Sequence, residues 1–287
     1  MATYFREIVK ADLIKWSKET LKSDGSAYDL FGDGLKIYVT IDSRMQRYAE
    51  EAMREHMADL QKAFYKEMGS RDPWIDENWQ VIPNFIELEK TKLEEGAPCY
   101  RSLMATDSEK IITHISNFRK VKRIPDVIKV FHQIQQQIPA KLMMVGDGPE
   151  KVKAENLCVE LGIEDKVIFF GNSNEIDQIL SYSDLFLLPS ETESFGLAAL
   201  EAMAFSVPVI SSNSGGIPEV NEEGVSGYLS DVGDLESMSR NAISILNSEE
   251  TLLQFKKAAF EVAKKFDIKN ILPLYEELYH KAINKFV

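Results

Sequence analysis

From about residue 81 to the end, short apolar runs alternate with longer amphipathic stretches, and no other feature limits the fold as strongly. The runs at 111–116, 141–145, 167–170, 185–188, 209–211 and, more weakly, 227–229 are of strand length. Between them, 124–137, 150–161, 175–181 and 196–204 carry apolar residues at helical spacing, and several helices close the chain, the last predicted over 271–284. A strand–helix–strand repeat places successive strands parallel, because each helix is the crossover that a parallel pair requires. The predicted fold class is therefore α/β, a Rossmann-like, doubly wound parallel sheet. Such sheets bind ligands beyond the carboxyl ends of their strands, where loops lead into helix N-termini.

Residues 1–80 lack this rhythm. A helix is expected over 4–21, a polar turn at Ser23-Asp24-Gly25-Ser26, and a strand over 35–41 after Gly32-Asp33-Gly34. A long helix should begin with Asp42 or Ser43 as its cap, carrying Met45, Tyr48, Ala49, Ala52, His56, Leu60 and Phe64 on one side. One strand and two helices cannot close a sheet. The chain thus divides into a small, mostly helical segment, 1–80, and an α/β domain, 81–287, joined near residues 79–81.

Composition narrows the function classes. With 33 basic and 46 acidic residues the net charge is −13, which argues against nucleic acid or an anionic membrane as partner. No apolar run reaches the roughly 20 residues that span a bilayer. Cys99 and Cys158 are the two cysteines, too few and too far apart for a disulfide framework or a metal cluster. The expectation is a soluble, cytoplasmic protein with reduced thiols and no bound metal.

Three blocks carry candidate chemistry. In the stretch from Pro189-Ser190-Glu191-Thr192-Glu193-Ser194 to Phe195-Gly196-Leu197, a strand ends and a helix opens at Gly196. Amide N–H groups at such an opening, with the positive end of the helix dipole, suit a phosphate or sugar hydroxyls. Glu193 and Glu201 supply carboxylates able to accept hydrogen bonds from vicinal hydroxyls. The plain alternative is an ordinary helix cap with a surface glutamate. In the second block, Asn117-Phe118-Arg119-Lys120-Val121-Lys122-Arg123 concentrates cations between a strand and a helix, where a leaving diphosphate could be stabilised. A solvated basic loop is the plain alternative there. In the third, Gly146-Asp147-Gly148-Pro149-Glu150, Gly171-Asn172-Ser173 and Gly215-Gly216-Ile217-Pro218-Glu219 are glycine turns, each more often structural than functional.

Taken in order, these blocks resemble the family-4 glycosyltransferases of GT-B architecture, whose E-x7-E motif falls on Glu193 and Glu201. The resemblance implies that Glu193 contacts the donor sugar and Glu201 the nucleotide ribose. It implies that amides around Phe195, Gly196 and Leu197 contact sugar and diphosphate, and that Arg119 and Lys122 bind the pyrophosphate, with Asn117 as the other occupant of the arginine slot. Gly146 would lie beneath the nucleotide and Asn172 at the nucleobase edge. Within the family the likeness is to enzymes of bacillithiol biosynthesis that transfer N-acetylglucosamine from UDP-GlcNAc to L-malate with retention, and it covers 81–287. The donor would be a UDP-sugar and the acceptor a small molecule, malate by resemblance, with no metal or other cofactor. Self-association is left open.

Residues 1–80 resemble instead the stretch of bifunctional penicillin-binding proteins that leads into the transpeptidase domain, through Tyr28-Asp29-Leu30 and Gly34-Leu35-Lys36-Ile37-Tyr38-Val39-Thr40-Ile41-Asp42. That family's catalytic motifs have no counterpart here. The GT-B acceptor domain would need roughly 170 residues, the size of an ordinary domain. The expectation is therefore a glycosyltransferase by descent whose turnover is incomplete, with a nucleotide-sugar-binding module or a cell-wall synthesis accessory protein as the other readings.

Overall fold

The computed structural model describes residues 3–22, 25–29, 33, 35, single positions between 51 and 66, 81–89, 91 and 101–285. The chain forms two compact units, 1–80 and 81–287. In the first, helix α1 (Thr3–Glu19) is followed by an isolated antiparallel bridge, Leu21 to Ala27. Trp16 and Tyr28 lie ring to ring at 4.8 Å, and the Asp33 carboxylate accepts from the Asp29 amide and from Lys22. The described positions from Glu51 to Lys66 are helical, as their spacing predicts. Of the strand expected over 35–41, Leu35 is described and is not in a strand; the rest, with the cap at Asp42 or Ser43, lies outside the described residues.

The second unit holds α2 (Arg101–Met104), β1 (Lys110–Ile115), α3 (Ile124–Gln135), β2 (Ala140–Val145), α4 (Lys151–Leu161), β3 (Val167–Gly171) and α5 (Ile176–Ser181). It continues through β4 (Leu185–Leu188), α6 (Leu197–Ala204), β5 (Val209–Ser212), α7 (Ile217–Val220) and β6 (Gly227–Ser230). Helices α8 (Leu235–Leu246), α9 (Glu249–Lys264) and α10 (Ile268–Lys285) close it. The six strands are all parallel in the order β3-β2-β1-β4-β5-β6. The strands and inner helices fall within a residue or two of their predicted places. The last helix differs: it begins at Ile268, ahead of the predicted start, and carries Pro273 inside it. The preceding turn explains the early start, because Ile268 donates its amide to Ile86, and Ile86 in turn donates to Phe266.

Period-two burial sorts the strand side chains onto the two faces. Ile112, Leu142, Met144, Leu185, Leu187 and Ile210 pack with Phe131, Ile134 and Ile245 of α3 and α8. On the other face, Phe186, Leu188 and Val209 meet Leu200, Met203 and Ala259 of α6 and α9. Each fully buried side chain of this size contributes about 1.5–3 kcal/mol. Helices α8 and α9 start on side-chain caps, Asp234 to the Ser237 amide at 2.9 Å and Ser248 to the Thr251 amide at 3.3 Å. None of the described helices is long and apolar enough to cross a membrane.

At the amino end of the sheet Asp184, almost wholly buried, receives Arg101 at 2.9 Å, Lys256 at 2.8 Å and the Ile111 amide at 3.0 Å. Burial alone would push its carboxyl up. The Lys256 ammonium, the Ile111 amide and Arg101 outweigh that and hold it below the usual carboxylate range. This knot fastens α2 and α9 to the start of β1 and β4.

Candidate nucleotide-sugar cleft

Strand order reverses between β1 and β4, so the loops leaving their carboxyl ends turn to opposite sides and open a crevice. A cleft of about 430 Å³ lies there, lined by Ser116 and Asn117 after β1, Lys122, Glu193 and Ser194 after β4, and Gly196, Leu197 and Glu201 of the α6 end. A second space of about 480 Å³ shares Glu201 and is lined also by Glu87, Thr91, Ser173, Asn174 and Asp177.

The first wall is built by a short 3-10 turn, Lys120–Lys122, which ends at Arg123 in the left-handed region (φ 52°). This turn brings the Lys122 ammonium onto the Glu193 carboxylate, which also accepts from Ser190 Oγ at 2.9 Å. Both ends of the ion pair are mostly buried, with side-chain exposures of 19% and 13%. The Glu191 amide donates to the Val121 carbonyl at 2.8 Å, joining the two loops through their backbones.

The loop bearing Glu193 rests on the turn before α7. The Gly216 amide donates to the Glu193 carbonyl at 2.9 Å, and Gly215 passes so close that a Cβ there would stand 1.9 Å from the same oxygen. Gly215 also has φ +58°, a conformation that L side chains seldom adopt. The glycine pair is therefore the footing of the loop that carries Glu193. Gly146 has the equivalent role after β2: with φ +124°, a Cβ would meet the Ser116 carbonyl at 1.8 Å.

Helix α6 begins at Gly196 with no side-chain cap, unlike α8 and α9. Its first amides thus remain available to an anion beside Lys122. Glu201, one turn further in and exposed overall, has its carboxyl pushed up by partial desolvation and then by the Asp177 charge. Behind the cleft His114 is completely buried. Its Nδ1 lies 2.8 Å from the Leu187 carbonyl and its Nε2 2.8 Å from Ser116 Oγ. Burial lowers its pKa to about 4.

Of the residues expected from sequence, Asn117, Lys122, Glu193, Gly196, Leu197 and Glu201 converge on the cleft. Four do not line it. Arg119 is exposed, in extended backbone (φ −93°, ψ 159°) ahead of the 3-10 turn, so of the two expected cations Lys122 alone lines the cleft. Phe195 buries its ring against Phe266, centroids 5.8 Å apart, which leaves its backbone amide, the group that the resemblance named. Gly146 is committed to the close strand approach just described. Asn172 is exposed, and its neighbours Ser173 and Asn174 line the second space instead. Sequence reasoning missed Ser116, Ser190 and Asp177. Their positions after strand ends and in the first turn of α5 were the available signal, too general to single them out. Among the described residues no group of three or more His, Cys, Asp or Glu side chains is placed to hold a metal ion.

The six-stranded parallel sheet with a cleft at its switch point defines an α/β domain of Rossmann type, and the chain belongs to the glycosyl transferases group 1 family, whose model matches residues 101–262. Among its relatives is N-acetyl-alpha-D-glucosaminyl L-malate synthase of Bacillus anthracis, 42% identical over 205 residues, which are 71% of this chain and 54% of the relative. The sulfoquinovosyl transferase of Arabidopsis thaliana is 32% identical over 146 residues, 49% of this chain and 28% of the relative. The chain thus spans about half, or less, of the length of these relatives. Solved structures share the fold. Anabaena HepE in complex with UDP and glucose superposes with a TM-score of 0.65 at 23% identity, over 70% of this chain and 57% of that one. Sucrose-phosphate synthase of Thermosynechococcus elongatus gives 0.65 at 23%, over 78% and 57%. These matches lend no support to the likeness of residues 1–80 to penicillin-binding proteins.

Proposed function

We propose that residues 81–287 bind a UDP-sugar in this cleft, with UDP-N-acetylglucosamine as the donor, as part of a retaining transfer to L-malate. The observation that carries the reading is the convergence of Lys122, the uncapped α6 N-terminus, Glu193 and Glu201 at the switch point between β1 and β4. The diphosphate sits on the Lys122 ammonium and the α6 amides, Glu193 accepts from hexose hydroxyls, and Glu201 accepts from the ribose. In transfer, the bond from the anomeric carbon to the diphosphate oxygen breaks while one to the acceptor oxygen forms on the same face. The acceptor proton passes to the departing diphosphate. Negative charge then grows on the leaving oxygen, where Lys122 and the helix amides stabilise it without a metal ion. The identity with the malate synthase supports the choice of donor and acceptor.

Calorimetric titration with UDP and UDP-N-acetylglucosamine, in the presence of chelator, tests the donor site. Micromolar binding of both is expected, and abolition by chelator would overturn the metal-free assignment. Malate-dependent UDP release tests turnover. Binding without release identifies 81–287 as the donor-binding part of the reaction, because orienting the acceptor accounts for about 7–11 kcal/mol of such a barrier.

A further inference from the structure

The buried imidazole of His114 has no place in the reading above, yet it touches a residue that lines the cleft. Its two hydrogen bonds fix each other's direction. The Leu187 carbonyl can only accept, so His114 Nδ1 must carry the proton. The ring is neutral at ordinary pH, since burial disfavours its charged form. Nε2 is then a bare acceptor, and the 2.8 Å contact with Ser116 Oγ requires the serine to donate. With its single proton committed to the core, Ser116 Oγ presents only lone pairs to the cleft.

We propose that Ser116 is a specificity residue of the donor site, its hydroxyl turned by His114 into an obligatory acceptor that reads a hydroxyl or amide N–H of the transferred sugar. The assignment rests on the donor-site reading above. Diphosphate oxygens are themselves acceptors and gain nothing from such a group, so they go to Lys122 and the α6 amides on the neighbouring walls. A sugar ring offers the donors that Ser116 lacks. Ser116 and Glu193 therefore form an acceptor pair for the hexose, distinct from the donor groups that hold the phosphates. His114 is a positioning residue: it never meets the ligand, and it acts by holding the serine proton.

The test compares UDP with UDP-N-acetylglucosamine on the full chain and on Ser116→Ala. The alanine variant should lose about three- to tenfold affinity for the UDP-sugar, the range for one neutral hydrogen bond, with UDP affinity unchanged. Equal losses on both ligands, or no loss on either, would overturn the assignment of Ser116 while leaving the donor site in place. A parent chain that binds neither ligand would overturn the donor-site reading and Ser116 with it. Independently of any ligand, 15N chemical shifts of His114 should show the neutral Nδ1–H tautomer in the parent chain. An Nε2–H tautomer would overturn the relay.

Discussion

Glu193 holds the Lys122 ammonium in the unliganded cleft, so a bound diphosphate must draw that cation away or share it. Glu193→Gln removes the competing charge while preserving size and a carbonyl oxygen for Ser190 Oγ. Two unit charges 4 Å apart attract by about 4 kcal/mol at an effective dielectric constant of 20. Desolvation of a pair this sheltered returns much of that, leaving on the order of 1–2 kcal/mol net. Freed of this competition, Lys122 should bind UDP roughly five- to thirtyfold more tightly, since each 1.36 kcal/mol is a factor of ten. UDP-N-acetylglucosamine gains the same release, but its hydroxyl then meets a neutral amide oxygen, so that bond falls from about 1.5–3 to about 0.5–1.5 kcal/mol. The ratio of the two affinities cancels the common Lys122 contribution, and should fall by a factor of roughly five to ten. Isothermal calorimetry at fixed, low ionic strength measures both constants. Weaker UDP binding by the variant, with an unchanged ratio, would refute both the competition and the contact between Glu193 and the sugar.

Three further outcomes are expected. Lys122→Ala should weaken UDP binding by about 1.5–3 kcal/mol, the range for a charge-assisted hydrogen bond, and the loss should shrink as salt is added. Glu201→Gln should raise the melting temperature at neutral pH, because the folded state raises this carboxyl's pKa and so disfavours its ionised form. That advantage fades as the pH falls and Glu201 takes up a proton, whereas nucleotide affinity should be lower in the variant at neutral pH; a variant that melts earlier and binds UDP equally would make Glu201 a structural residue. Gly215→Ala should cost about 2–4 kcal/mol in denaturant unfolding, combining a positive φ with a 1.9 Å approach to the Glu193 carbonyl, and a loss under 1 kcal/mol would show that the loop yields freely.

The sheet was legible in the sequence because its strands are buried on both faces and read as near-continuous apolar runs. Burial of every residue in β4 and β5 shows the cause. Glu193, Glu201 and Lys122 were legible because each stands where a strand gives way to a helix, and topology alone brings those places together. Arg119 and Lys122 were expected together because charge is visible in a sequence, whereas the 3-10 turn that sets them apart is not. The start of α10 was misplaced for a related reason: Ile268 is fixed by a bond to Ile86, over 180 residues earlier, and no local periodicity reports such a tether. The His114 tautomer follows from a carbonyl on the adjacent strand, a long-range partner that no spacing along the chain encodes.

The Asp184 knot lies at the opposite end of β1 and β4 from the cleft. Its carboxylate is held below its ordinary pKa, so its stabilising effect is complete above the unfolded carboxylate range and lost as pH falls through the lower folded value. As pH falls, Glu201 at the ligand edge takes up its proton first, and α2 and α9 loosen from the amino edge of the sheet only at lower pH, when Asp184 is protonated. Cohesion and recognition are thus wired to opposite rims of the same two strands. For an evolving transferase this separation is a freedom: loops at one rim can be exchanged to suit a new sugar while the fastening at the other is left untouched.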